Sequence, residues 1–390
     1  MMNKPLNVLS VVAFWLSFFL AGIPSAGLAQ EAKPRFEPIK IKGLQPRPEF
    51  WKVRPAEIVE LCRNLTRGRS EIVATTPGGF PVYAVFYGEF SEAAPQTNWS
   101  AGSSSSTWRS YYQREKKAQT VLFCAGIHGA EAESVAAIVN LIQMLETGKD
   151  FRGRRDSELL DLIGRYRLIL IPCLNMDGRS LSPDHLRGTS YEDFRRASQG
   201  TWADGSLVGW RGSKEYFPLP LAKVSYPGGY PNADGFNIMH DATPGHIRTA
   251  EARGFLQLVE RWSVDLVLNG HSCEYSPSVL DPTSLNYPRY IERGRRCARL
   301  VNEALCAAKL RDKVPAERKA ANTFNLNTMA TLASGALTLT LECCVSADYP
   351  PQKPCDYTFE EMMEPNFIML KILLADGLKE PFADRAALFR

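Results

Sequence analysis

Residues 120–127 run almost without a polar side chain, and at His128-Gly129 the run turns into a helical pattern with Val135, Ile138, Val139, Ile142 and Leu145 on one face. This strand-turn-helix unit constrains the fold more than any other feature, because a strand apolar on both faces must lie in a sheet covered on both sides. The pattern recurs. Residues 166–173 read as another buried strand, 249–262 as a helix with Phe255, Leu258 and Val259 inward, and 264–268 as a further strand. Residues 287–310 read as helix, 336–341 as an alternating strand, and 359–374 as a last helix carrying Met362, Phe367, Leu370 and Leu373. Such alternation predicts an α/β fold, a mixed, mostly parallel twisted central sheet flanked by helices on both faces.

Ahead of this core, residues 72–75 and 82–87 are β-prone runs separated by Pro77-Gly78-Gly79-Phe80-Pro81, the pattern of a hairpin. Residues 91–106 read as a polar loop. Residues 175–241 are dense in Gly, Pro, Trp and Tyr with weak periodicity, too long for a plain connector and better read as functional loops.

The first 29 residues stand apart: Lys4, then a nearly all-apolar run over 8–23, then the small residues of Gly27-Leu28-Ala29. This is the pattern of a secretory signal peptide, with an uncleaved anchor as the alternative. Its apolar run is shorter than the ~20 residues that span a bilayer, and no later segment is apolar enough to do so. Residues 30–50, rich in Pro and charge, read as an extended lead-in, and residues 51–390 as a single catalytic domain. Export predicts a periplasmic or secreted protein with no stable membrane association after cleavage. Nine cysteines, an odd number, fit no CxxC or zinc-finger spacing, and Cys124, Cys173 and Cys343 sit in apolar runs where buried free thiols are expected. A net charge of +4 against 46 Lys+Arg and 42 Asp+Glu, with no dense basic block, argues against a nucleic-acid partner.

With only five histidines, each carries weight. His128 and Glu131, separated by two residues, follow a buried strand, a spacing that turns an imidazole and a carboxylate toward one point at the strand's carboxyl edge, where open α/β sheets place ligands. The bland reading is a helix start with a helpful acid in its first turn. His271 follows the strand at 264–268 through Asn269-Gly270 and is also poised at that edge. Two imidazoles and a carboxylate suit one Zn2+ per chain with a position left for water. Glu342, the lone carboxylate on an otherwise apolar strand, suits a general base beside such a site, or else a buried partner for an arginine.

The order of these landmarks resembles the zinc carboxypeptidase family of the carboxypeptidase A and B type. The resemblance runs through Gly78-Gly79-Phe80-Pro81-Val82-Tyr83, His128-Gly129-Ala130-Glu131, Asn175-Met176-Asp177-Gly178, Gly235-Phe236-Asn237-Ile238-Met239-His240, His271-Ser272 and Leu341-Glu342. It implies the zinc-carboxypeptidase-like sandwich, with His128, Glu131 and His271 as zinc ligands and Glu342 as base. It also implies a carbonyl-polarising arginine after the Asn-x-Asp-Gly turn, for which Arg187, Arg195 and Arg196 are candidates and Arg195 is favoured. Asn237 is expected to orient a ligand histidine, and His240 and Arg196 to touch substrate. The family grips a substrate's terminal carboxylate with an Asn-Arg pair, and here Met239-His240 stand in that place. A Met cannot replace an amide donor, nor a His a bidentate guanidinium.

These readings lead to a metallopeptidase or amidase acting on a peptide or an acylated amino acid. A small-molecule deacylase of the succinylglutamate desuccinylase and aspartoacylase type stays open beside it, as does a non-catalytic peptide-binding module.

Overall fold

The computed structural model describes residues 36–90, 101, 104, 118–282, 285–316, 323–345, 347 and 357–383, all within one unit, Lys33–Arg390. The expected leader at 1–29 and nearly all of the loop at 91–106 lie outside the described residues. Residues 36–50 form neither helix nor strand. This segment is tied down by Ile39 N donating to Leu181 O at 3.1 Å and by the fork of Arg47 on Glu57 at 2.8 and 2.9 Å.

Helix α1 (Pro55–Arg63) opens with proline, whose missing N–H is not needed in a first turn. Strands β1 (Arg69–Thr75) and β2 (Pro81–Tyr87) then pair antiparallel as the expected hairpin. Strand β3 (Thr120–Ala125) is buried at every position and leads through the His128-Gly129 turn into α2 (Glu133–Thr147). Next come α3 (Ser157–Ile163), capped by the Asp156 carboxylate, and β4 (Arg167–Ile171).

Short elements fill residues 175–241: α4 (Met176–Leu181), α5 (Tyr191–Gln199), β5 (Thr201–Trp202), α6 (Gly209–Glu215), β6 (Val224–Tyr226) and a 3-10 turn at Ile238–His240. Helix α7 (Ala250–Arg261) follows, capped by Thr249, then β7 (Leu266–Glu274), β8 (Ser278–Leu280), α8 (Pro288–Ala307), α9 (Leu326–Ser334), β9 (Leu337–Cys344) and α10 (Phe359–Gly377).

The main sheet has the order β1-β2-β4-β3-β7-β9-β8. Its four central strands are parallel, and β1, β2 and β8 run antiparallel to their neighbours. Helices α2, α3, α8 and α10 form one packed layer, while α7 and α9 form another. Leu122, Phe123, Ile169, Val267 and Leu268 are fully excluded from water, and each is worth about 1.5–3 kcal/mol of burial. This rigid centre fixes the strand ends.

From β3 the chain goes to β4 on one side and later to β7 on the other, so the carboxyl ends of β3 and β7 flank a topological switch point. That is the place where a parallel sheet opens a crevice.

Two strands run further than their apolar patterns. Pairing continues past the apolar residues, so His271 lies inside β7 and Glu342 inside β9, rather than beyond strand ends. The cysteines at 62, 124, 173, 297, 306, 343 and 344 are free thiols, the vicinal pair included. Among the described residues no helix is long and apolar enough to cross a membrane.

Candidate metal centre

Behind the first ligand position, three glycines bring three backbone segments into contact. A Cβ on Gly129 would overlap Arg179 N and Gly178 C, one on Gly178 would overlap Gly229 O, and one on Gly229 would overlap Ala130 N. Only hydrogen fits between them. Gly129 N donates to Gly229 O at 2.6 Å, and Asn175 Nδ2 donates to Tyr230 O at 3.0 Å. This stack lays the Tyr230 ring against His128 at 4.2 Å between centroids.

Asp177 locks the surrounding loops: it accepts from Thr76 Oγ1 at 2.5 Å, Gly78 N at 3.2 Å and Ala233 N at 2.9 Å. The Asn-x-Asp-Gly segment is thus more than a turn. It clamps the β1–β2 hairpin, the start of α4 and the loop before residue 237 to one another.

On this frame His128, Glu131 and His271 converge. His128 Nδ1 lies 2.9 Å from Glu131 Oε1, and His271 Nδ1 lies 2.9 Å from Glu131 Oε2. One donor atom from each residue falls within 4.8 Å of the others, and all three side chains are buried. Both Nε2 atoms lack a hydrogen-bond partner. Burial alone would raise the Glu131 pKa, but the charges and hydrogen bonds of the two histidines hold it below the ordinary range. For His128 burial prevails over Glu131 and lowers the pKa. At His271 the burial effect is outweighed by Glu131, with help from Glu342, and the pKa rises. Two imidazole nitrogens and one carboxylate, buried and aimed at a single point, are the donor set of a zinc site with one position open, so the residues fit the ion.

Glu342 sits beside this set. It is the register partner of His271 across β7 and β9, and only 8% of it is exposed. Asn237 begins the 3-10 turn with its side-chain oxygen accepting from Met239 N, and it lies near enough to His128 to favour the charged ring. His240, half-buried, is pushed down to about 4 by burial first and then by the charges of His128, Lys214 and His271. Met239 is buried, and its sulfur accepts from Asn269 Nδ2 at 3.7 Å. The turn keeps Met239 in the core and leaves His240 half-buried.

The arginines take other places. Arg187 donates to Gln45 Oε1 at 2.8 Å and to Tyr357 O. Arg196 pairs with Glu192 at 2.8 Å, one helical turn away and half-exposed. Arg195 Nε lies 3.4 Å from Gln199 Oε1, and its Nη2 is 3.8 Å from the space above Gly209 at the start of α6. Among the described residues none of the three makes a hydrogen bond or ion pair to His128, Glu131 or His271.

Sequence reasoning passed over Tyr230, Trp210 and Lys214. Trp210 packs edge-on against Tyr230 at 5.6 Å, and the Lys214 ammonium stands 3.7 Å over the Trp210 ring. The available signal was the i, i+4 spacing of Trp210 and Lys214, too short a pattern to read as a helix.

A family model described as zinc carboxypeptidase matches residues 85–204. Among solved structures, a metallo-carboxypeptidase from Burkholderia cenocepacia is similar with a TM-score of 0.50 at 15% identity, covering 82% of this chain and 68% of that one. A metallo-carboxypeptidase from Pseudomonas aeruginosa, solved in complex with (2-guanidinoethylmercapto)succinic acid, gives 0.50 at 16% identity over 83% and 68%. At these identities the likeness is one of fold. No curated protein matches the chain. The chain is thus similar to the zinc carboxypeptidases over residues 85–204 and shares the fold of the metallo-carboxypeptidases.

Proposed function

We propose that the chain is an exported zinc hydrolase that cleaves an amide bond in a peptide or an acylated amino acid. One zinc per chain would be held by His128, Glu131 and His271, and residues 51–390 form the catalytic domain. The observation that carries this reading is the convergence of those three buried donors at the sheet's switch point with Glu342 one strand away. Export rests on the leader-like residues 1–29.

Zinc bound there supplies Lewis acidity, lowering the pKa of a water and polarising a carbonyl. The protein's own part is proton handling and placement. Glu342 takes a proton from the attacking water onto a carboxylate oxygen and returns it to the leaving amine nitrogen. Tyr230 packs the His128 ring in place, and Asn237 supports it from the turn.

A small-molecule deacylase is the second reading. The buried Met239 favours it, since the place of an amide donor for a peptide's terminal carboxylate holds a thioether turned into the core.

Metal analysis of the purified protein tests the proposal. One zinc per chain in wild type and none in the His128→Ala/His271→Ala double variant is the expected result. Wild type without zinc, or an unchanged content in the double variant, overturns it. Peptides with free and blocked C-termini separate the two readings, because a strict carboxypeptidase spares the blocked ones.

A further inference from the structure

The loop between α2 and α3 borders a cleft of about 200 Å³ whose other wall is α10. Helix α2 begins two residues after Glu131 and is 15 residues long, so the cleft lies at its far end, roughly 22 Å along the helix from the metal centre.

The Asp150 carboxylate builds this loop. Its Oδ1 accepts from Arg152 N at 2.8 Å and from Arg154 N at 3.0 Å, and Asp150 N donates to Arg154 O at 2.9 Å. Gly153, at φ 77°, makes the tight return that a side chain would resist. Asp150 Oδ2 then takes the Nε and Nη2 edge of Arg152, both at 2.7 Å. Arg152 is thereby fixed against the Phe367 ring with only 8% of its side chain exposed. Its remaining nitrogen, Nη1, is buried without a hydrogen-bond partner among the described residues. Glu364 Oε2 stands 3.6 Å from it, beyond hydrogen-bond reach. An unmet N–H on a buried charged group is costly, so this edge calls for an acceptor.

The other charges of the cleft do not supply one. Asp156 Oδ1 accepts from Leu159 N at 3.0 Å and its Oδ2 pairs with Lys371 at 2.9 Å. At the rim Arg154 and Arg155 are exposed and make no ion pair among the described residues; Arg155 Nε donates only to Ser157 Oγ at 3.1 Å. With Asp150 matched to Arg152 and Asp156 to Lys371, the two rim arginines face Glu364 alone, and the cleft is left net positive.

We propose that this cleft is a binding site for a phosphoryl group, as inorganic phosphate or a phosphate monoester, met by Arg152 from the buried side and by Arg154 and Arg155 from the rim. Several guanidinium forks arriving from different directions match a dianion with oxygens on all sides better than a single planar carboxylate. Glu364 is the group that the anion displaces, since its partly exposed carboxylate stands over Arg152 Nη1 and can swing into solvent. The site is separate from the metal centre and does not depend on the hydrolase reading.

Calorimetric titration of the full chain with inorganic phosphate, at constant ionic strength in chloride, tests this. The expected result is one phosphate per chain with a Kd below about 1 mM. Affinity falls about tenfold in the R154Q/R155Q double variant and rises at least about threefold in E364Q. All three side chains lie at the cleft's open side, and phosphate-free melting temperatures confirm that the variants stay folded. Chelator-treated protein gives the same constants, which separates the cleft from any phosphate drawn to a metal. Flotation on phosphatidylcholine vesicles with and without phosphatidic acid distinguishes the sources. Retention that requires phosphatidic acid and is lost in R154Q/R155Q assigns a lipid headgroup, whereas titration without flotation assigns the free anion. No saturable phosphate binding, wild-type affinity in R154Q/R155Q, or no gain in E364Q overturns the inference.

Discussion

His271 and Glu342 face each other as register partners on parallel strands β7 and β9, so one backbone ladder sets the place of a metal donor and of the proposed base. Their relative position depends on strand pairing in the buried sheet centre rather than on loops. Substituting Glu342 therefore changes chemistry without moving a ligand. The Glu342→Gln protein is expected to keep its zinc and its melting temperature within a few degrees, and to lose about 10²–10⁴-fold in kcat, the usual worth of a positioned acid-base group. Zinc content, thermal melting and steady-state rates check this, and wild-type turnover in the variant refutes the assignment.

Gly129→Ala probes the backbone stack behind His128. The new methyl meets the backbone atoms Arg179 N and Gly178 C, which no rotamer change can clear. The chain must shift there, and it carries His128 with it. A loss of roughly 2–4 kcal/mol in stability is expected, together with weaker zinc binding. Denaturant unfolding and zinc titration measure the two effects, and wild-type values for both would show that the stack yields freely.

Asn237→Ala is the milder test of ligand support. Its neighbour His128 keeps Glu131 and Tyr230, so the fold is expected to hold while zinc affinity falls about tenfold, the lower end for a lost supporting partner. Competition against a chromogenic chelator measures it. An unchanged affinity removes Asn237 from the support of the site.

A carboxylate far from the metal sets an acid limit on stability. Glu146 accepts from Thr66 N and Oγ1, Arg67 N, Gly68 N and Tyr87 Oη. Burial alone would raise its pKa, yet these donors bring it down to about 2. A depressed acid contributes stability that is complete above its unfolded value of about 4.5 and is lost as pH falls through that value toward 2. Glu146→Gln should cost about 2 kcal/mol at neutral pH and flatten the stability profile between about pH 5 and 2. Unfolding free energies across that range decide it, and an equally steep profile in the variant rules out Glu146 as the source.

Much of this was readable from the chain because burial writes a clear signature. The runs ending at Ile127, Cys173 and Leu268 had to be sheet interior, and His128, Glu131 and His271 could be placed from where those runs stop. The strand limits were less legible. His271 and Glu342 look like residues past a strand because they are polar, although the ladder continues through both toward the crevice. Residues 175–241 hid the most. Helices α4, α5 and α6 are six to nine residues long and are held by caps, glycine contacts and the Asp177 clamp, none of which leaves an apolar period. Trp210 and Lys214 belong to that group, since their stacking and the contact with Tyr230 come from the fold, not from spacing off any motif.

The Glu131 carboxylate bridging two ring nitrogens has a consequence for how the centre is made. Both imidazoles lean on that one side chain, so the turn after β3 and strand β7 are tied together at a single carboxylate, and a change at Glu131 alone would unseat the two rings at once.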